Sequence, residues 1–207
     1  VFFAPLYVSN YCVNDCEYCG FHSRNKALRK KLTLKEIQEQ VKILEDMGHK
    51  RLLLEFGEHP QENTIDYVVK VIETIYNTKS KNGSIRRVNV NIAATSVENY
   101  RKLKKAGIGT YQLFQETYHQ KTYKLLHRGL KADFERQLFA HDKAFQAGID
   151  DVGLGVLLGL YDYRFEVLGI LSHAKYLEKK FGVGPHTISV PRLQPADTVT
   201  LKSKYKV

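Results

Sequence analysis

The sequence predicts an α/β fold in which parallel strands alternate with amphipathic helices. Short apolar runs that are typical of buried strands recur six times, with segments of helical periodicity between them. A glycine follows the helical pattern just before three of these runs, at Gly48, Gly107 and Gly148. Strand–helix units of this length imply parallel strands with right-handed crossovers. They fit a doubly wound sheet or part of a (βα) barrel, and the pattern alone leaves both open.

The predicted strands are the apolar runs themselves, at residues 2–8, 51–56, 88–93, 111–117, 151–160 and 187–192. The first helix is predicted from a capping box, Thr33-x-x-Glu36, followed by apolar residues at helical spacing. The second starts at Thr64. A second capping box, Thr95-x-x-Glu98, predicts the start of the third. Further helices are predicted at residues 119–126, 133–147 and 163–180.

The composition is that of a soluble globular chain. With 207 residues there is room for one domain with a sizeable core, and 43% hydrophobic with 26% charged residues is ordinary for that class. No apolar run approaches the ~20 residues of a membrane-spanning helix. We therefore expect no membrane association.

The chain carries a net charge of +10, part of which lies in residues 24–31. A basic run of this kind can bind nucleic acid. It contains no aromatic residue on which bases could stack, so we favour a solvated loop over a nucleic-acid site.

The strongest signal is the spacing of the cysteines. All three in the chain, Cys12, Cys16 and Cys19, form the pattern Cys-x3-Cys-x2-Cys. Three thiolates can hold three irons of a 4Fe–4S cluster and leave the fourth iron open to another ligand. Free thiolates also indicate a reducing compartment, which predicts a cytoplasmic, anaerobic location. A Cys3His zinc site that includes His22 is the serious alternative.

The cysteine pattern, with Tyr18 before the third cysteine, resembles the cluster motif of the radical S-adenosylmethionine (SAM) enzymes. Residues 5–12 and 19–21 are similar to the aromatic amino acid lyase branch of that superfamily. Residues 114–119 and 182–192 narrow the resemblance to the tyrosine lyases of FeFe-hydrogenase maturation, with the tyrosine lyases of thiamine thiazole synthesis as near relatives.

This resemblance implies a radical SAM (βα) TIM-type barrel with about six strand–helix units present, so that the C-terminal part of the barrel is expected to be missing. Residues 1–196 are predicted to form this partial core. Residues 197–207 are predicted to be a polar, lysine-rich tail for which disorder is an open expectation.

The resemblance also implies the cofactor-binding residues, which we expect at the C-terminal ends of the strands. Tyr18 would pack near the adenine of SAM. Gly57 and Glu58 would meet its amino group. Glu116 would accept hydrogen bonds from the ribose hydroxyls, because an ionised carboxylate is an acceptor only. Loop packing, a solvated turn and a strand-end ion pair are the plain alternatives.

Two further residues are predicted to contact substrate. His186 could hydrogen-bond a phenol, and the planar fork of Arg192 could pair with a carboxylate. The alternative for Arg192 is an ion pair at the rim of the barrel.

By resemblance, the reaction is reductive cleavage of SAM, followed by cleavage of tyrosine at Cα–Cβ to p-cresol and dehydroglycine (2-iminoacetate) in H-cluster maturation. The implied partners are tyrosine, an electron donor such as ferredoxin or flavodoxin, and other hydrogenase maturases. The maturases carry a second cluster on C-terminal cysteines, which this sequence lacks. Either the chain is truncated, or it stops at tyrosine cleavage. A non-enzymatic zinc or nucleic-acid-binding module is the alternative from a different class.

Overall fold

A single parallel sheet of six strands organises the computed structural model, which describes residues 3–195, 198, 199, 201 and 205. Its strands are β1 (Ala4–Ser9), β2 (Arg51–Phe56), β3 (Arg87–Asn91), β4 (Tyr111–Glu116), β5 (Val152–Val156) and β6 (Thr187–Ser189). Each strand lies beside the preceding one, and every neighbouring pair is parallel. Doubly wound sheets reverse their strand order, whereas barrels do not. The sheet is therefore barrel-like, and β1 and β6 are its two edges.

Seven α-helices are formed by the described residues, and most of them connect successive strands. They are α1 (Leu34–Asp46), α2 (Ile65–Asn77), α3 (Val97–Lys105), α4 (Gln120–Leu126), α5 (Phe134–Leu138), α6 (Ala140–Gln146) and α7 (Tyr163–Phe181), with a 3-10 turn at Leu130–Ala132. The core lies between the sheet and these helices, where Leu52, Val88 and Tyr111 pack with Ile37 and Ile72. Within the described residues, no helix has both the length and the apolar character to cross a membrane.

Successive residues of a strand point to opposite faces of the sheet, and the two faces differ in polarity here. In β3, Val88 and Val90 are fully buried against the helices, while Asn89 and Asn91 are half-buried on the other face. Glu55 of β2 lies beside Asn91 in register, so it shares that face. The face away from the helices is thus partly polar, and it leads to the site described below.

The predicted capping box and terminal glycines mark the ends of three helices correctly. Thr33 and Glu36 form the predicted capping box, with Glu36 Oε2 accepting from the Thr33 backbone N–H at 2.7 Å. The three predicted terminal glycines follow α1, α3 and α6 with φ of +91°, +82° and +87°. Only glycine adopts this left-handed backbone without strain. Each glycine therefore turns the chain from a helix toward the next strand.

The second predicted capping box is wrong. The residue that caps α3 is Ser96, whose Oγ accepts from the Asn99 backbone N–H at 3.2 Å. Thr95 lies one position too early, and its hydroxyl instead accepts from the Asn99 side chain at 2.7 Å. A hydroxyl caps a helix only when it can reach the backbone N–H of the second or third helical residue.

Other boundaries also differ from the prediction. The predicted helix at 133–147 is two helices, because Phe139 has a non-helical backbone between α5 and α6. The fifth strand ends at Val156, well before residue 160. A short hairpin that pairs Lys79–Ser80 with Gly83–Ser84 was not predicted. The predicted tail at 197–207 falls mostly outside the described residues, although Thr198 accepts from the Asn25 side chain at 2.9 Å.

Candidate active site

The cysteine loop follows β1 and brings its three thiols to one cavity of about 230 Å³. Cys16 is buried, while Cys12 and Cys19 are half-buried. Burial raises the pKa of the Cys16 thiol to about 12 and also raises that of Cys19. Bound metal would supply the positive charge that converts such thiols to thiolates. The loop therefore presents ligands that metal, rather than solvent, would ionise.

Backbone hydrogen bonds hold this loop to two other segments and to itself. Its N–H groups donate to the segment after β2, to the end of α4 and the segment that follows it, and across the loop: Val13 to Glu58 O at 2.7 Å, Glu17 to Leu126 O at 3.0 Å, Asp15 to Arg128 O at 3.2 Å and Ser23 to Asn14 O at 2.8 Å. These four hydrogen bonds thus tie the loop to two other parts of the chain and close it on itself.

Gly57 follows β2 directly and lies against the cysteine loop. A Cβ at this position would overlap the Tyr11 carbonyl group, so the close approach requires glycine. The Asn63 side chain donates to both Tyr11 O at 3.1 Å and Gly57 O at 2.7 Å, which fixes the contact. The structure thus explains the glycine by packing, and its predicted contact with SAM stays a prediction.

Glu58, the next residue, is part of the cavity lining. The side chain is 10% exposed and pairs with the Arg136 guanidinium at 2.5 Å through Oε1. Its other oxygen, Oε2, accepts from Asn14 Nδ2 at 2.5 Å. Both oxygens are therefore oriented by fixed donors, one from the cysteine loop and one from α5.

Glu116 ends β4 in an unusual backbone conformation, with φ of +69°, where the pairing of β4 with β5 shifts register. A non-glycine residue in this region is uncommon and is often found at functional sites. Its carboxylate lines the cavity and lies 2.7 Å from Lys131 Nζ. Burial alone would lower the pKa of Lys131, but the Glu116 carboxylate outweighs it and holds the pKa above its usual value. The ammonium therefore stays charged.

Tyr18 also lines the cavity, and its hydroxyl lies 2.7 Å from His127 Nε2. Burial lowers the pKa of His127 to about 4, so the ring is neutral. Its Nδ1 lies 2.8 Å from the Tyr123 carbonyl oxygen, which accepts only. Nδ1 therefore carries the proton, and Nε2 accepts from the Tyr18 hydroxyl. This hydrogen bond fixes the ring of Tyr18 in the cavity wall.

The structure does not bring His186 to this cavity. The His186 N–H donates to Val152 O at 2.8 Å, and Val152 is the first residue of β5. Because His186 precedes β6, it lies at the end of the sheet where the strands begin. The cysteine loop follows β1 and lies at the opposite end. Arg192 follows β6 and forms a β-bridge with Leu158. It is exposed and lies at the β6 edge of the sheet, whereas the cysteine loop follows β1 at the other edge. Neither His186 nor Arg192 lines the cavity, and the substrate roles of both residues stay predictions.

Sequence reasoning missed several residues that shape the site. Lys131, Arg136 and Asn14 act through contacts with carboxylates far away in sequence, so no local pattern marks them. Glu55 and Asn91 line the cavity from the polar face of the sheet. Burial raises the pKa of Glu55 to about 7. The local signal for Glu55 was that it is the one acidic residue of β2.

The zinc alternative requires His22 to join the cysteines. His22 Nδ1 instead lies 3.4 Å from an Asp15 carboxylate oxygen, and Nε2 lies 3.3 Å from Thr198 O. Among the residues that the structure describes, no three or more His, Cys, Asp or Glu are grouped to hold a single metal ion. In a 4Fe–4S cluster each thiolate binds a different iron, so the ligands surround a larger body. Three thiols around a roomy cavity fit a cluster better than a single zinc ion.

A family model for the radical SAM superfamily matches residues 6–172, which include the cysteine loop, Glu58 and Glu116. The chain belongs to the radical SAM superfamily. This membership confirms the predicted barrel fold and the cofactors, a 4Fe–4S cluster and SAM. In this superfamily member, Cys12, Cys16 and Cys19 are the residues that would hold the cluster.

Relatives of known activity and structure share most of this chain. The 2-iminoacetate synthase of Salmonella typhimurium is 37% identical over 196 residues, which are 94% of this chain and 50% of that protein. The crystal structure of HydG, a maturase of the FeFe-hydrogenase, is 66% identical with a TM-score of 0.94, over 96% of this chain and 44% of that one. HydG from Carboxydothermus hydrogenoformans is 48% identical with a TM-score of 0.93, over 99% and 47%. The chain spans about half the length of the relatives it matches.

Proposed function

We propose that this chain belongs to a radical SAM carbon–carbon lyase that cleaves tyrosine at Cα–Cβ into p-cresol and 2-iminoacetate (dehydroglycine). The observation that carries the proposal is one cavity lined by three cysteines and two oriented carboxylates, in a chain related to a 2-iminoacetate synthase. The atoms of the two products add up to those of tyrosine. Because one hydrogen atom of tyrosine would leave with 5′-deoxyadenosine, completing p-cresol needs one electron from the donor and one proton, besides the electron that cleaves SAM.

When bound, the cluster and SAM supply the 5′-deoxyadenosyl radical that removes a hydrogen atom from the substrate. The protein has to bind and orient the reactants and exclude water. In this proposal Glu58 would accept from the amino group of SAM, and its contacts with Arg136 and Asn14, which orient both carboxylate oxygens, support that role. Glu116 would accept from the ribose hydroxyls and Tyr18 would contact the adenine, and both residues line the same cavity.

The tyrosine would occupy the polar face of the sheet next to this cavity. Glu55 and Asn91 lie there and offer an acceptor and an amide to polar groups of an amino acid. The electron that cleaves SAM would come from a donor such as ferredoxin or flavodoxin. We place this chemistry in a reducing, anaerobic cytoplasm.

The role that we favour is H-cluster maturation, together with other hydrogenase maturases. The 66% identity to a HydG structure, against 37% to the Salmonella synthase, supports this choice. A tyrosine lyase of thiamine thiazole synthesis is the second candidate, because the Salmonella protein is a 2-iminoacetate synthase. Both candidates share the tyrosine cleavage step.

The test is anaerobic reconstitution of the chain with iron and sulfide, reduction, and incubation with SAM and tyrosine. We expect 5′-deoxyadenosine, and p-cresol by chromatography. Cys12→Ala should form neither product, while Asp66→Asn, a change in an exposed ion pair, should behave as wild type. An intact cluster that leaves SAM uncleaved would refute the proposal, and a chain that retains zinc instead of iron would favour the zinc module.

Carbon monoxide trapping separates the two steps of the maturase reaction. All three cysteines of the chain line the first cavity, so no thiolate remains for a second cluster. We expect this chain to release no carbon monoxide. Carbon monoxide in amounts equal to p-cresol would show that this second-cluster reasoning is wrong.

A further inference from the structure

Asn14 lies between two of the cysteines, and its side chain uses both ends of its amide. The residue is only 2% exposed. Nδ2 donates to Glu58 Oε2 at 2.5 Å, and Oδ1 accepts from the Lys131 backbone N–H at 2.9 Å. Its backbone carbonyl accepts from the Ser23 N–H at 2.8 Å, which closes the cysteine loop on itself. One residue thus joins the loop to two distant segments.

Each of those segments carries a carboxylate of the cavity. Glu58 is bound directly by the Asn14 amide. Glu116 is reached through Lys131, whose backbone N–H donates to Asn14 and whose ammonium lies 2.7 Å from the Glu116 carboxylate. A single side chain of the cysteine loop therefore connects to both carboxylates, directly to Glu58 and through Lys131 to Glu116.

The surroundings of Asn14 leave it little freedom. A Cβ on Gly129 would lie 2.7 Å from Asn14 Oδ1, and Gly129 has φ of +83°, so the segment after α4 packs directly against the amide. An amide offers a donor and an acceptor in one planar group, which neither a carboxylate nor an alkyl side chain does. Turning the amide over would place its oxygen against the Glu58 carboxylate, where no donor remains between them.

We propose that Asn14 is a positioning residue that fixes Glu58 and Glu116 relative to the cysteine loop, so that SAM meets the cluster and both carboxylates in one geometry. The proposal deepens the proposed function and rests on it for the roles of the two carboxylates. Asn14 itself contacts neither the cluster nor SAM in this scheme. It acts through Glu58 directly and through Lys131.

The direct test is SAM affinity of the reconstituted chain, measured by calorimetry, for Asn14→Asp. This variant can still accept from Lys131, but it faces Glu58 with a like charge and donates nothing. We expect the dissociation constant to rise about tenfold or more, since a hydrogen bond to a charged group is lost. Iron content should be unchanged. Asn14→Ser, which shortens the side chain without adding charge, replaces it if Asp lowers the iron content.

Asn25→Ala is the matched control. Asn25 belongs to the same loop, donates to Gly20 O at 2.6 Å and accepts from the Ala27 N–H at 2.9 Å, but it does not hydrogen-bond to either carboxylate. It should bind SAM within about twofold of wild type. Equal affinities for the Asn14 variant and this control, at full iron content, would overturn the proposal.

Two further measurements separate this inference from the proposed function. Glu58→Gln and Glu116→Gln should each weaken SAM binding, and unchanged affinity in both would refute their assigned roles. The contact between Asn14 and Glu58 is then tested without SAM or metal. Urea unfolding of the metal-free chain gives the unfolding equilibrium constant for Asn14→Ala, Glu58→Gln and the double variant. Non-additivity of about twofold or more in the unfolding equilibrium constant would support the positioning contact, and additivity would overturn it.

Discussion

Replacing Glu116 by Gln removes the carboxylate charge that faces the Lys131 ammonium and barely changes the size of the side chain. The two side chains are 12% and 19% exposed, so the pair is close to buried. Removing one partner of a fully buried pair destabilises a protein by about 3–5 kcal/mol, because the other charge is left uncompensated. An exposed pair contributes about 0.2–1 kcal/mol. For Glu116→Gln we expect a loss of about 1–3 kcal/mol in the free energy of unfolding.

Urea unfolding of the metal-free chain measures this loss, and two other variants calibrate it. Asp66→Asn breaks a pair with Lys102 whose members are 72% and 42% exposed, so it should change the free energy of unfolding by about 0.5 kcal/mol or less. The double variant Glu116→Gln/Lys131→Met leaves no buried charge and should regain most of the lost stability.

SAM affinity separates the structural role of Glu116 from its binding role. Both Glu116→Gln and the double variant should bind SAM with about 1.5–3 kcal/mol less free energy, because each lacks the charged acceptor. If the double variant recovers both stability and SAM affinity, Glu116 serves only to neutralise Lys131. If Glu116→Gln is as stable as Asp66→Asn, the estimate for this ion pair is wrong.

Three other predictions follow from the structure. Replacing the cluster cysteines by Ala one at a time should abolish both the cluster spectrum and SAM cleavage, whereas His22→Ala should keep its iron; loss of iron in the His22 variant would restore the zinc alternative. Since burial raises the pKa of Glu55 from 4.5 to about 7, wild-type stability should fall as the pH rises through that range, and Glu55→Gln should lack this fall in a series of melting temperatures. Ser96→Ala should lower the free energy of unfolding by about 1 kcal/mol and Thr95→Ala by less, with equal losses counting against Ser96 as the cap of α3.

Much of the fold could be predicted because its signals are local. The glycines after α1, α3 and α6 mark helix ends by a backbone conformation that depends on single residues. The Thr33 box was found because both of its hydrogen bonds join residues three apart. The Thr95 box matched the same pattern by chance, since Ser96 beside it offers an equally good cap. Periodicity alone left the barrel and the doubly wound sheet open, because it does not contain the order of the strands; the family resemblance favoured the barrel, and the strand order agrees with it.

Site residues could be predicted only where those that act together are close in sequence. The cysteine spacing was enough to predict three cluster ligands, and the structure has all three lining one cavity, while their role as ligands stays a prediction. His186 directly precedes the sixth strand, and in a parallel sheet the residues before the strands lie at the opposite end from those that follow them, so its substrate role stays a prediction. Arg136 and Lys131 were missed because each meets its carboxylate only after the barrel has folded.

The backbone hydrogen bonds of the cysteine loop have a consequence for the substitutions that the loop can accept. Four of them join the N–H groups of residues 13, 15, 17 and 23 to carbonyl groups, so they do not depend on which side chain stands at those positions. Proline is the exception, because it has no N–H to donate. We therefore expect these four positions to accept varied side chains but not proline.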